Sequence, residues 1–370
     1  MQMVKLWTGL AALLLLLGLA DDDYASAWQA KTRADSVAEL AVKASPHATY
    51  ASKQTLSSAS LLTGAVEVYD SSLPSTDTYL TITSKSEEQT MYRVDPDGNL
   101  HQEDGKELVL KPEARLKLLA ASQELRSRHY GELLSWEEAS HIIPRKAKLK
   151  VIDLESGLVF NAQRRAGSSH ADVQPLTKSD TEIMKQIYNG EWSWHRRAII
   201  VEANGRKLAA SMHGMPHGGD GIPDNGFSGH FCIHFQGSAT HGKGNIDLGH
   251  QFMVAKAAGT LDAFKRRMDP YDMINAFFLA NEYGDSQLME ELFSNAGHEQ
   301  ASMQHFGAER GTVRHRFTES EAPLENMVAV DIPVETCLIR GGACRDQAKS
   351  VFHMRRLSPA EQWRIDRIQK

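Results

Sequence analysis

The stretch Lys148-Leu149-Lys150-Val151-Ile152-Asp153, the turn Glu155-Ser156-Gly157 and the return Leu158-Val159-Phe160 set the character of the middle of this chain. Apolar and polar residues alternate, which is the signature of a strand with one buried face. A second such run, Arg197-Ala198-Ile199-Ile200-Val201-Glu202, turns at Asn204-Gly205 into Lys207-Leu208-Ala209-Ala210, and Asn-Gly between two runs is a hairpin signal. Phe231-Cys232-Ile233-His234-Phe235 reads as a further strand, and His250 to Ala258 as a helix. A mostly β domain over 146–262 is therefore expected, with its histidines on loops and strand ends.

Towards the N-terminus, Val66 to Leu110 holds short β-type runs joined at Asp97-Gly98 and Asp104-Gly105, and Pro112 opens an amphipathic helix from Ala114 to Arg128. Residues 28–64, rich in Ala and Ser, read as a helix or linker. The span 28–145 is expected to be a small α+β domain. Before it, Lys5 and the uncharged run Leu6 to Ala20, followed by Ala25-Ser26-Ala27, read as a signal peptide or membrane anchor over 1–27. The run is shorter than the roughly 20 residues that span a bilayer. An extracytoplasmic, secreted or envelope-associated location follows from that reading.

Towards the C-terminus, helices are expected over Tyr271 to Phe293, broken at Gly284-Asp285. Strands follow over Gly311 to Phe317, Met327 to Leu338 and Lys349 to Arg355, with a last one at Trp363-Arg364-Ile365-Asp366. Helices followed by a curved antiparallel sheet resemble the nuclear-transport-factor-like α+β cone, over 269–370. The fold class is thus α+β and multidomain. Cys337 and Cys344 flank the turn-like Arg340-Gly341-Gly342, and a hairpin there brings them within disulfide range.

The net charge of −6 makes no case for nucleic acid, whose binders carry a basic stripe. The chemistry concentrates between Met212 and His250, where His213, His217, His230, His234, His241 and His250 surround Cys232 among many glycines. In an extended backbone His230, Cys232 and His234 share one face. An imidazole beside the thiol raises its thiolate fraction, and backbone N–H groups of the Gly-rich loop stabilise an oxyanion.

His213-Gly214, a Gly-rich loop, and then Ser228-Gly229-His230-Phe231-Cys232-Ile233 resemble the signature of the L,D-transpeptidase family, over about residues 149–258. The resemblance implies cysteine-dependent acyl transfer on peptidoglycan stem peptides through a thioester. It makes Cys232 the nucleophile, His230 and His213 its base and orienter, and His234, His217, Gly229 and Ser228 substrate-binding, with no cofactor and peptidoglycan as partner. Phe231 replaces the family's glycine and His234 its arginine.

Two other readings stay open on the same residues. His213, His217, His230, Cys232 and His234 are chemically adequate zinc ligands, with His170 and Asp172 as additions, for a zinc-dependent peptidoglycan peptidase. The third is a non-catalytic wall-binding module in which the histidines simply pack. Trp192, Trp194 and Arg196-Arg197 line a saccharide or peptide groove or, more plainly, a strand edge. Asp247 either orients His250 or caps its helix.

Overall fold

The structure, a computed structural model, describes residues 36–69, 73–219, 221–240, 244–283, 286–294, 312–318, 324–340 and 343–369. Residues 1–27, read above as a signal peptide or membrane anchor, His241, Gly284-Asp285, Gly311 and Gly341-Gly342 lie outside them. The molecule is a mixed α+β protein with several sheets, as the patterning implies. Contacts divide it into two compact units, one of residues 1–46 and 51–129, the other of 47–50 and 130–370.

In the first unit strands β1 (Val37–Val42), β2 (Ser52–Ser57), β3 (Val66–Tyr69), β4 (Thr78–Thr83), β5 (Gln89–Val94), β6 (Leu100–His101) and β7 (Lys106–Val109) form one sheet in the order β2-β1-β4-β5-β6-β7-β3. Helix α1 (Ser58–Leu62) follows β2, and helix α2 (Pro112–His129) packs on β1 and β2. Where residues 28–64 are described they differ from the helix or linker reading: Val37–Val42 is an inner strand between β2 and β4. Its Ala38, Leu40 and Val42 are buried. Alanine and leucine favour helices on their own, and tertiary burial against two partner strands overrides so weak a preference.

The second unit begins with helix α3 (Trp136–Ile142), whose Ala139 sits in the same apolar cluster as Ile143 and the barrel interior. The barrel is closed and antiparallel: β8 (Lys148–Asp153), β9 (Val159–Ala166), β10 (Ala171–Pro175), β11 (Arg197–Ala203), β12 (Arg206–Met212) and β13 (Phe231–His234), in the order β10-β13-β12-β11-β8-β9. Helix α4 (Lys178–Ile187) opens on a capping box of Thr177 and Asp180, and neither it nor β10 is evident from the sequence pattern. Period-two alternation sorts the side chains. Val151, Phe160, Val173, Ala210, Phe231, Ile233 and Phe235 join one buried cluster, while His230, Cys232 and His234 take the opposite face of β13. The bulk of Phe231 therefore goes into the core, against Phe160 and Phe227.

Helix α5 (Leu248–Ala257) packs on β11 and β12. Asp247 is its N-cap, accepting from the His250 backbone N–H at 2.8 Å. Then come α6 (Leu261–Lys265), α7 (Pro270–Tyr283) and α8 (Ser286–Leu292), followed by a four-stranded antiparallel sheet of β14 (Thr312–Phe317), β15 (Ala329–Arg340), β16 (Ala343–Arg355) and β17 (Arg364–Gln369). Phe277 and Phe278 meet Phe352 of the sheet at 5.4 and 5.8 Å. The long β15–β16 hairpin is tied by the Cys337–Cys344 disulfide, and Cys232 is free and buried. Among the described residues no helix is long and apolar enough to cross a membrane.

Candidate active site

Three pieces of chain bring the chemistry to one place. Strand β13 carries Cys232, and its register with β10 sets Asp172 directly opposite. Strand β12 ends at Met212 and releases His213 and the Gly-rich loop. That loop returns beside β13, where His217 and His230 exchange both backbone hydrogen bonds, at 3.0 and 2.7 Å. Glycine is required at this return. Gly229 has φ +93°, and a Cβ there would lie 2.3 Å from the His217 carbonyl oxygen. A Cβ on Gly218 would lie 2.3 Å from the His230 ring. Beneath the loop, Gln174 accepts from the Ile222 N–H at 2.8 Å and donates to the Gly229 carbonyl.

Cys232 is 2% exposed, and proton-accepting groups surround its sulfur. His217 Nε2 lies 3.4 Å from Sγ. His217 Nδ1 lies 3.0 Å from the Met215 carbonyl oxygen, which can only accept, so Nδ1 carries the hydrogen and Nε2 presents its lone pair to the thiol. Asp172 Oδ1 lies 3.9 Å from Sγ on another side. Burial pushes the Cys232 thiol well above its ordinary range, and the Asp172 carboxylate adds to this. A free thiolate, expected from the neighbouring imidazoles, is therefore not the resting state. Thiol and imidazole are placed as a general-base pair, in which the proton leaves as sulfur attacks.

Asp172 is itself held. His170 Nε2 lies 3.1 Å from Asp172 Oδ1, and His170 Nδ1 lies 2.7 Å from the Ala239 carbonyl oxygen. The carbonyl obliges Nδ1 to donate, and the Nε2 contact ties the buried Asp172 carboxyl to His170 beside the thiol. His230 Nε2 lies 3.7 Å from the same carboxylate oxygen.

The other expected residues fall around this centre. His213 is buried; its Nδ1 accepts from the Met215 N–H at 3.4 Å, and its ring lies 5.2 Å from His217. Burial drives it down to about 2, with the neighbouring His217, His234 and Arg196 acting in the same direction. His234 is 2% exposed, stacked between His170 at 4.6 Å and His250 at 3.8 Å. It supports Cys232 from within and offers no open face to a substrate carboxylate, so the arginine-like role does not suit its position. His250 Nδ1 meets Ser211 Oγ at 2.9 Å. Ser228 is exposed on the loop and Gly229 is buried at its hinge. The orienter of the thiol's neighbour is thus the Met215 carbonyl; the nitrogen 3.4 Å from the sulfur belongs to His217, and nitrogens of His213 and His230 also lie within 4.8 Å of it.

Sequence reasoning treated Asp172 only as an extra zinc ligand. Its signal, one acidic residue in the mixed stretch His170-Ala171-Asp172-Val173-Gln174, reads as functional only once the β10–β13 register is known. The five expected zinc ligands do not converge on one point. His213 and His217 form one close set with Cys232, His170 and His234 a second, and Asp172 and His230 a third; within each set the donor atoms lie inside 4.8 Å of one another. In the third set the 3.7 and 3.9 Å separations are near the roughly 3.5 Å between donors around a tetrahedral zinc. These three donors fit an open zinc site.

Compared with models of known protein families and with curated proteins, the chain matches none.

Proposed function

We propose that this chain is an exported cell-wall enzyme that carries out cysteine-dependent acyl transfer on peptidoglycan stem peptides, as L,D-transpeptidases do. The observation that carries this reading is the His217 Nε2–Cys232 Sγ contact of 3.4 Å, with the ring held in the required tautomer by the Met215 carbonyl. Sulfur attacks the donor carbonyl as its proton passes to His217 Nε2. The same proton then passes to the departing amine as the C–N bond breaks, leaving a thioester. An acceptor amine or water, deprotonated by His217, attacks the thioester, and the C–S bond breaks as the thiol is restored. The export reading of residues 1–27 supports a location at the wall, and the order of helices followed by an antiparallel sheet in the C-terminal part supports an accompanying transport-factor-like cone.

A zinc-dependent peptidase is the second reading, favoured by the Asp172, His230 and Cys232 spacing. These three side chains would hold a zinc, which supplies Lewis acidity and an activated water. Metal analysis of the purified protein, with thiol titration before and after a peptide-mimic acylating agent, separates the two. The proposal expects metal-free protein whose single thiol is consumed stoichiometrically; stoichiometric zinc with a blocked thiol would support the peptidase instead.

A further inference from the structure

Gln174 is a buried amide, 1% exposed, with no part in the proton transfers described above. Ala171 and Val173 join the apolar cluster, so by alternation Asp172 and Gln174 take the other face of β10, where Asp172 meets Cys232. The β10–β13 register ends at the pair Val173–Phe231, and Gln174 lies one residue beyond it. Burying an amide is costly unless its bonds to water are replaced. Gln174 replaces them on the Gly-rich loop. Its Oε1 accepts from the Ile222 N–H at 2.8 Å and from Asn225 Nδ2 at 3.3 Å, and its Nε2 donates to the Gly229 carbonyl.

Asn225, also buried, spreads the anchorage. Its Nδ2 donates to the Pro175 carbonyl at 2.9 Å, its Oδ1 accepts from the Phe227 N–H at 2.9 Å, and its own carbonyl accepts from Thr181 Oγ1 of α4 at 2.7 Å. These bonds pin the loop to β10 and α4.

The bond to Gly229 differs in what lies beyond it. The Gly229 carbonyl and the His230 N–H belong to one planar peptide. Gln174 holds the carbonyl, and the N–H donates to the His217 carbonyl at 2.7 Å. The His217 N–H donates in return to the His230 carbonyl at 3.0 Å. One rigid plane therefore connects Gln174 to the backbone of the residue whose Nε2 lies 3.4 Å from Sγ. Gly229 has no side chain with which to fix that plane, and its φ of +93° suits few other residues.

We propose that Gln174 is a positioning residue that sets His217 against Cys232 through the Gly229–His230 peptide. This rests on the acyl-transfer reading for the reaction it serves, but not for the contact it maintains. The test is a double-mutant cycle on the full chain, read by the rate of Cys232 alkylation with iodoacetamide. Gln174→Met keeps the length and removes every hydrogen bond. It should slow alkylation by about tenfold where His217 is present, since a misplacement of order 1 Å at a reacting group has effects of that size or more. In a His217→Ala background the same change should cost less than about twofold, because the two residues act as one unit. Should Gln174→Met not fold, Gln174→Asn, whose amide is one methylene short of the Gly229 carbonyl, carries the same cycle.

Thr181→Val removes a buried bond of the same loop that does not touch the Gly229–His230 plane. It should lower the unfolding midpoint and leave the alkylation rate unchanged. Equal slowing by Gln174→Met in both backgrounds, equal slowing by Thr181→Val, or alkylation that does not slow at all, overturns the proposal. Alkylation needs no acyl donor. The expected coupling in a protein that never forms a thioester with stem peptide would keep the positioning role and remove the acyl-transfer reading.

Discussion

Two histidine–carboxylate clusters, one in each unit, are built in opposite ways. In the first unit Asp95, His101 and Glu107 come from a single stretch of hairpins. His101 Nε2 lies 3.0 Å from Asp95 Oδ2, Asp95 Oδ1 accepts from the Asn99 N–H at 2.7 Å, and Glu107 stands across from His101 in the β6–β7 register. In the second unit His170, Asp172, His213, His217, His230, Cys232, His234 and His250 come from two strands, the loop residues flanking strands, and a helix. The first cluster is a by-product of a local turn, held by its own neighbours. The second requires the whole barrel, and of the two it alone contains a thiol. Local clusters of charge stabilise turns; groups gathered over long separations, against the cost of burying them, mark function.

The largest effects should come from the convergent cluster. Cys232→Ser should lower turnover on stem peptides by about 10³-fold or more, because serine keeps the shape and loses the nucleophile. His217→Ala should lower it by about 10²–10⁴-fold, more than His213→Ala or His230→Ala; steady-state kinetics rank them. If His230→Ala proves the most damaging and His217→Ala is mild, the tautomer argument is wrong.

Gly229→Ala should follow. Its φ of +93° and the His217 carbonyl 2.3 Å from the added Cβ force the loop return to shift. A loss of about 1–3 kcal/mol in thermal or denaturant unfolding is expected, with reduced activity. Unchanged stability and activity would mean that the loop is not held as described.

Smaller, but more diagnostic, is the pair His170→Gln and Asp172→Asn. Removing His170 takes one partner from the carboxyl 3.9 Å from sulfur and should slow Cys232 alkylation at fixed pH. Removing the carboxylate, which adds to the upward shift of the thiol, should speed it, and the double variant should lie between. Equal slowing in both single variants would indicate a merely structural role and break the account of Asp172 as a group that holds the thiol protonated.

Much of this architecture was legible. Alternation in Lys148–Asp153 and Arg197–Ala210 showed the strands, because period two follows from the pleat. Asn204-Gly205 showed its hairpin and Cys337/Cys344 their bridge. The common face of His230, Cys232 and His234 was legible for the same reason. What could not be read was which imidazole meets it. That depends on a loop return made by positive-φ glycines at 218 and 229, whose path no periodicity reveals. Asp172 was hidden by a β10–β13 pairing sixty positions apart, and β10 itself by its buried polar residues. Val37–Val42 was misread because its alanines and leucines are helix formers that a central strand buries.

pH should affect the second unit's stability. Burial lowers His315 to about 4 and His213 to about 2, and holds His250 well below its ordinary value. In the unfolded chain these imidazoles protonate near 6.5. Above that value both states are neutral and stability is full. Below it the unfolded chain takes up protons that the folded one refuses, so stability falls from about pH 6.5 towards pH 4 and further for His213. The unfolding midpoint should be lower at pH 5 than at pH 7.5, and His315→Gln should flatten part of the slope. The smallest effect belongs to the local cluster: His101→Gln should weaken the first unit's unfolding transition and leave the Cys232 alkylation rate unchanged.

The most direct test is intact-mass analysis of the full chain mixed with a peptidoglycan stem peptide and quenched in acid. The account predicts a mass increase equal to the donor acyl fragment, mapped to Cys232, insensitive to chelator, absent in Cys232→Ser and strongly reduced in His217→Ala. Turnover without any adduct, abolished by chelator and restored by zinc, would contradict it.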